Sequence, residues 1–219
     1  FKKFNNSKLL QKVNCSVYDT VNNIIYFGTL GNGVIELAVN NNTFRQLPNN
    51  PPAGWISSLC IDNNFNLWIG HTGQLVCYNT VDQKYIFNSV TDKLNNIAIN
   101  DLLPLPDGSV WIGTSNGLYF FNRPDTSLNS YTKNNGLPAN VICAIERDSY
   151  NNMWVSTSNG LSKFNKNKNT FQNFYSYDGL QDNEFRVRSS FIDNTGKLYF
   201  GGINGISTFY PDKIIYEQK

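Results

Sequence analysis

The sequence predicts an all-β protein, a β-propeller of five four-stranded antiparallel blades spanning residues 1–219. Three observations carry this: one motif written five times, a period near 43 residues, and Asn/Gly/Asp turns between short apolar runs. The motif is an aromatic, an apolar residue and a small one. It stands at Tyr26-Phe27-Gly28, Trp68-Ile69-Gly70, Trp111-Ile112-Gly113, Trp154-Val155-Ser156 and Tyr199-Phe200-Gly201, at intervals of 42, 43, 43 and 45 residues.

The first repeat has the loosest turn, "DTVNNIIY", followed by "TLGNGVI". In the second, strand A reads "SSLCID", B "LWIGH", C "LVCYN" and D "KYIFNS", joined by tight turns as antiparallel hairpins require. The third, fourth and fifth repeats place the acidic turns "DGSVW", "DSYNNMW" and "DNTGKLY" before the anchor, and "TSNGLY", "TSNGLS" and "GINGIS" after it. No segment sustains a 3.6-residue apolar period, so helix is expected to be scarce. A blade is apolar on both faces and cannot bury itself alone. One large aromatic at a fixed place per repeat fills the gap between neighbouring sheets. At the ends, "FKKF" (1–4) matches the fourth-strand segment "FQNF" (171–174), and the chain stops soon after the third strand "ISTFYP". The five blades either close through that N-terminal strand or form part of a larger ring.

The chain is 40% hydrophobic and 16% charged with net charge +2, enough for a sizeable core. Its Lys and Arg are scattered, so nucleic acid is not an expected partner. No apolar run reaches the roughly 18 residues of a membrane helix, and no signal peptide is present. The first residue is Phe1 rather than Met, which suggests a chain cut from a longer precursor. Cys15, Cys60, Cys77 and Cys143 lie in apolar runs without CxxC spacing and read as small buried hydrophobes. Cys15 and Cys143 both stand eleven residues before their anchors, hence in equivalent places of non-adjacent blades, and no disulfide is expected. With His71 the only histidine, neither a metal nor another cofactor is expected. Asn clusters between the apolar runs read as turns with positive φ.

The stretch "NNGLPANVICAIERDSYNNMWVSTSNGLSKFNKNKNTFQNFYSYDGLQDNEF" resembles the two-component regulator propeller repeat. The likeness runs over essentially the whole chain. "YDGLQDNEF" followed by "GKLYFGGINGISTFYPDKI" is similar to the last repeat before that family's Y-Y-Y domain. The resemblance implies the periplasmic sensor region of a hybrid two-component system, part of an inner-membrane sensor histidine kinase whose catalytic part lies outside this chain. It implies a non-catalytic module sensing an oligosaccharide. The alternatives are an interaction scaffold, engaging a second copy or a neighbouring sensor domain, and a propeller glycosidase or lyase. A glycosidase needs two carboxylates across one pocket. Those near the candidate face are few: Asp92, Asp178, Asp182 and Glu184.

In a propeller the D-to-A and B-to-C connections share one face. Sugars need planar amides and an aromatic plate. The repeated Asn116, Asn159 and Asn204 read as turn-formers needing positive φ. The candidate ligand contacts are Trp55, His71, Asn96, Asn140, Asn183, Glu184, Arg186 and Arg188, with Asn95 and Thr72 on the same face. Departures from the repeat concentrate at "PPAGW" (51–55), at His71 and at "DNEFRVR" (182–188). Arg186 and Arg188, two apart on a strand, would point the same way. They are expected to pair with a carboxylate of another blade or to meet an anionic sugar.

Overall fold

The computed structural model describes residues 10, 12–48, 54–71, 73–87, 94 and 96–214. The first blade is β1 (Val13–Asp19), β2 (Ile24–Thr29), β3 (Val34–Ala38) and β4 (Thr43–Gln46). The second is β5 (Ile56–Ile61), β6 (Asn66–His71), β7 (Gln74–Asn79) and β8 (Lys84–Phe87). The third is β9 (Ile99–Pro104), β10 (Val110–Thr114), β11 (Gly117–Asn122) and β12 (Ser127–Tyr131). The fourth is β13 (Ile142–Arg147), β14 (Met153–Thr157), β15 (Gly160–Asn165) and β16 (Thr170–Phe174). The fifth has three strands among the described residues, β17 (Phe185–Ile192), β18 (Leu198–Gly202) and β19 (Gly205–Phe209). Every sheet is a meander with strands side by side in chain order. The fold is the predicted five-bladed β-propeller. The "FKKF" segment proposed as a further strand lies outside the described residues.

The chain divides into two compact units, Phe1–Val110 with Phe121–Ser127, and Trp111–Phe120 with Leu128–Lys219. In the first, β5 packs against both β1 and β9, and Tyr26 shares a core cluster with Leu59, Ile69 and Tyr78. Trp68 meets Phe121 edge-on at 6.0 Å. In the second, β13 packs against β17, Trp111 meets Phe164 at 5.3 Å, and Trp154 meets Phe209 at 4.8 Å. One rule covers both units. The anchor aromatic on the second strand of a blade packs against the aromatic on the third strand of the next. Trp68 and Trp154 are 0% exposed and Trp111 7%, as equivalent buried positions require.

The small residue of the motif has an equally local cause. A Cβ on Gly28 would come 2.6 Å from Ile56 Cγ2, one on Gly70 2.9 Å from Ile99, and one on Gly113 2.7 Å from Ile142. Each isoleucine sits on or beside the first strand of the following blade, so the glycine sets the closeness of approach. The cysteines serve the same seam. Cys15 Sγ points to the Ile56 carbonyl at 3.8 Å and Cys143 Sγ to the Phe185 carbonyl at 3.3 Å. None of the four cysteines forms a disulfide. Cys60 and Cys77 flank Trp68 on its two neighbouring strands. Two strand spacings are roughly 10 Å, beyond the roughly 7 Å limit for bridging. Burial pushes the Cys77 and Cys143 thiols up to about 12.

The acidic turns hold the anchors in place. Asp148 accepts the Trp154 indole N–H at 2.9 Å through Oδ2, and through Oδ1 the backbone N–H groups of Tyr150 (2.9 Å) and Asn152 (2.8 Å). Asp62 does the same for Trp68 (3.0 Å), and Asp193 accepts the Tyr199 hydroxyl at 2.9 Å. The third blade departs from this. Leu105 occupies the acceptor position six residues before Trp111, although the backbone turn is retained (Gly108 N–H to Leu105 carbonyl, 2.9 Å). Asp107, the acid expected to match the others, accepts only the Ser109 N–H in the described bonds.

Two readings from the sequence need correction. Asn23, Asn42, Asn151 and Asn169 do have positive φ, but Asn116, Asn159 and Asn204 do not. The left-handed residues of the B-to-C turns are the following glycines, Gly117, Gly160 and Gly205, at φ 118°, 118° and 123°. Asn116 and Asn159 instead donate their backbone N–H to Thr114 and Thr157, whose hydroxyls bond the glycine carbonyls. Second, Arg186 and Arg188 do not follow strand alternation. In the first, second and fourth blades the first strand has one extra residue between its first pair and the pair opposite the anchor's successor. In β17 the span from Phe185 to Ser190 holds two more residues than that, and Arg188 adopts φ 54° within it.

Glu146 lies opposite Trp154 in register and accepts the Ser190 hydroxyl at 2.9 Å from β17. Burial raises its carboxyl above the ordinary value, opposed by that hydrogen bond. A raised folded pKa means the folded protein holds this proton more tightly than the unfolded chain. The contribution to stability is present at acid pH and is lost as pH rises through the folded pKa.

Two expected outcomes follow from this packing. Urea unfolding should show Asp148→Ala destabilised by ~3 kcal/mol, because a buried indole N–H and two turn N–H groups lose a charged acceptor. Asp107→Ala should lose under ~1 kcal/mol. Equal losses would show that the acidic turn does not work through the indole. Glu146→Gln should be more stable than the parent at pH 7.5 and no more stable at pH 4. A gain of the same size at both pH values would rule out the buried carboxyl as its source.

Candidate functional site

The loop face is stitched by one backbone hydrogen bond per blade junction. Gly31 donates to the Gly54 carbonyl (3.1 Å), Gly73 to Ile97 (3.1 Å), Gly117 to Asn140 (2.7 Å) and Gly160 to Asn183 (2.6 Å). Each bond joins a B-to-C turn to the D-to-A connection entering the next blade. The two sets of loops therefore share a face in each unit, as the sequence reading required.

In the first unit, Trp55 is 55% exposed and bridges Leu30 in an isolated antiparallel pair. Its neighbour Gly54 sits so close to the His71 imidazole that no Cβ would fit. His71 pairs with Ile56 across β5 and β6, where three other blades have Thr or its equivalent turn hydroxyl. Both His71 ring nitrogens are buried without a hydrogen-bond partner among the described residues. Asn96 is exposed with φ 62°. Trp55 thus follows directly on the residue that packs against His71. The neighbours Thr72 and Asn95, residues 51–53 and Asp92 lie outside the described residues.

In the second unit, Asn140 and Asn183 are structural equivalents. Asn140 Oδ1 accepts the Lys133 N–H at 2.9 Å and Asn183 Oδ1 the Ser176 N–H at 2.7 Å, each fixing a short 3₁₀ turn, Lys133–Asn135 and Ser176–Asp178. Those turns end at Gly136 and Gly179 in the left-handed region. Beside Asn183, Asp182 accepts the Asn183 N–H (2.6 Å) and the Asn204 side-chain amide (2.7 Å). Gln181 Oε1 accepts the Asn204 backbone N–H at 2.7 Å. Asp178 Oδ2 accepts the Tyr175 N–H at 2.8 Å. Arg186 reaches Glu184 at 3.8 Å, both side chains half or more exposed, so its partner is its own loop rather than another blade's carboxylate. Arg188 is exposed on the bulge.

Sequence reasoning missed a second concentration of polar groups, on the opposite face. Two hollows of about 620 Å³ and 310 Å³ flank Tyr150, which is 61% exposed and lines both. The larger carries Lys163, Lys166 and Lys168 with Asn165, Asn167 and Gln172. The signal was available in "NKNKNT" (165–170), where the preceding repeat has "NRPDTS".

With this geometry in hand, comparison with known proteins identifies the repeat. Residues 136–159 match the two-component regulator propeller family, the one the sequence resembles. Histidine kinase P4 of Formosa agariphila is 27% identical over 217 residues, covering 92% of this chain and 16% of that protein. The solved extracellular domain of hybrid two-component system BT3049 from B. thetaiotaomicron is 25% identical, with a TM-score of 0.79 over 91% of this chain and 28% of that one. That of BT4673 from the same organism is 22% identical, with a TM-score of 0.74 over 93% and 27%, and shows the fold. This chain therefore spans a small part of each relative's length.

The candidates separate by what removing them should do. Asn183→Ala should lower stability by ~1 kcal/mol in urea unfolding, since the Ser176 N–H loses its acceptor. Trp55→Ala and Arg186→Ala should stay within ~0.5 kcal/mol of the parent, as exposed side chains do. A Trp55→Ala loss as large as that of Asn183→Ala would make Trp55 a packing residue.

Proposed function

We propose that this chain is a two-component regulator propeller and a non-catalytic ligand-sensing module of a hybrid two-component sensor, with a glycan fragment bound on the loop face of one of its units. The observation that carries the reading is the likeness, over 91% of the chain, to an extracellular domain of such a system. The departures from the repeat support the loop face as the site. Turn residues common to the blades are taken up in stitching, whereas Trp55 and Arg186 project outward. In the first unit the exposed Trp55 indole suits the apolar face of a sugar, and separately, in the second, the Arg186–Glu184 pair offers hydrogen bonds to hydroxyls. On this reading the chain works in the periplasm, joined to an inner-membrane kinase that supplies the chemistry.

Isothermal titration of the 219-residue chain with neutral and acidic oligosaccharides tests it. A binder should raise the melting temperature, with roughly 2.7 kcal/mol gained at a hundredfold excess over Kd. Trp55→Ala should weaken binding without altering the unliganded melt. Binding by every oligosaccharide left unchanged in Trp55→Ala and Arg186→Ala would overturn the loop face as the site.

A further inference from the structure

We infer that the turn face of the fourth and fifth blades is a second binding site, shaped for an acidic oligosaccharide. It rests on the reading of the chain as a glycan sensor, but uses a face that reading does not. The groove lies between the turn after β13 and the hairpin joining β15 to β16. Its lining holds three lysines and no carboxylate. The acid of the turn, Asp148, is buried with both oxygens accepting from Tyr150, Asn152 and Trp154, so its oxygens are engaged within the turn.

The exposed side chains of Lys166 and Lys168 are not required by the hairpin. The hairpin needs one left-handed residue, and Asn42, Gln83, Thr126 and Asn169 supply it in successive blades at φ 52° to 57°. In the third blade Asp125 completes the turn by accepting the Ser127 N–H at 2.9 Å. Forty-three residues on, that position is Lys168, and Lys166 stands two before it. Lys163 occupies the place of Phe120 and lies over the Trp154 ring, 5.4 Å from its centroid. Replacing that acid by Lys168, beside the exposed Lys166, makes this turn more positive than its counterpart one blade earlier.

The remaining chemistry selects the class of anion. Tyr150 is an exposed plate between the two hollows, and Asn165, Asn167 and Gln172 line the larger. Planar amides and an aromatic ring fit hydroxyls and the apolar face of a pyranose, and the lysines fit its carboxylate or sulfate groups. In the smaller hollow, where Asp212 stands beside Lys213, the Lys213 ammonium lies over the Tyr210 ring at 4.6 Å, which extends the same pairing of ring and ammonium past Tyr150. A free inorganic anion would use only the lysines. A chain of sugars uses both hollows and the plate.

The test titrates the 219-residue chain with tetragalacturonate, a sulfated galactan tetrasaccharide, cellotetraose and inorganic sulfate. At least one acidic tetrasaccharide should bind more tightly than cellotetraose, with affinity falling as salt is raised. The exposed-residue variant Lys166→Gln/Lys168→Gln should weaken it about tenfold and flatten the salt dependence. Tyr150→Ala should weaken it with the salt dependence intact, and Trp55→Ala should leave it unchanged. Binding of sulfate alone as tightly as the acidic tetrasaccharide would overturn the site as one for a sugar. Acidic binding that survives both groove variants but falls in Trp55→Ala would overturn the groove and leave the loop face standing. Failure of every oligosaccharide to bind would overturn both.

Discussion

Everything in this fold depends on one seam, the contact between an anchor aromatic and the blade that follows it. Trp154 against Phe209, Trp111 against Phe164 and Trp68 against Phe121 are the same joint at successive places. A sheet of four short strands buries little by itself, so such rings supply the apolar area that makes stacking favourable. The glycine two residues on lets the next blade's first strand approach, as Gly70 does for Ile99. An indole sunk this deep needs an acceptor, and the carboxylates of Asp62 and Asp148 provide it while closing their own turns. Aromatic, glycine and acid are thus three parts of one device, complete at Asp62, Trp68 and Gly70, with Leu105 replacing the acid in the third blade and Ser156 the glycine in the fourth.

Much of that device was legible in the sequence because period and spacing are one-dimensional. Five anchors at near-constant intervals placed the blades, and short apolar runs between Asn/Gly/Asp turns placed the strands. What escaped was whatever depends on backbone torsion or on a substitution at one position. Asn116 and Asn159 look like left-handed residues, yet the glycine beside each takes that conformation more cheaply. "DGSVW" reads as an acidic turn, but its Asp107 stands two positions late, and Leu105 holds the acceptor place. The 45-residue last interval announced two extra residues without saying where. They lie in β17, where they turn two arginines out of register.

The candidate site was legible in part for the same reason. Residues that break the repeat can be read from spacing, but Asn140 and Asn183, which keep it, stood among the candidates because sequence could not say which kept residues are engaged. Asn140 and Asn183 recur one blade apart, and each has its side-chain oxygen committed to a turn. His71 breaks the repeat, yet its ring is pressed beneath Gly54 rather than offered to solvent. Trp55 breaks it and is exposed. Exposure and hydrogen-bond commitment come from packing between loops far apart in the chain, and no spacing rule reports them.

A repeat fold also explains why two faces of one blade can diverge independently. The B-to-C turns and D-to-A connections are bound to one another by the stitching bonds, so a change in one alters the entry of the next blade. The hairpin between β15 and β16 asks for one left-handed residue, Asn169, which also accepts the Tyr131 hydroxyl at 3.3 Å, and for one acceptor, Asn165 Oδ1, which takes the Lys168 backbone N–H at 3.1 Å. Residues 166 and 168 are therefore free of the constraint that holds Asn183 to Ser176. Lysines there alter the surface potential without touching the seam at Trp154. The loop face is where the fold permits a few specialised residues among many fixed ones, and the turn face is where it permits several together.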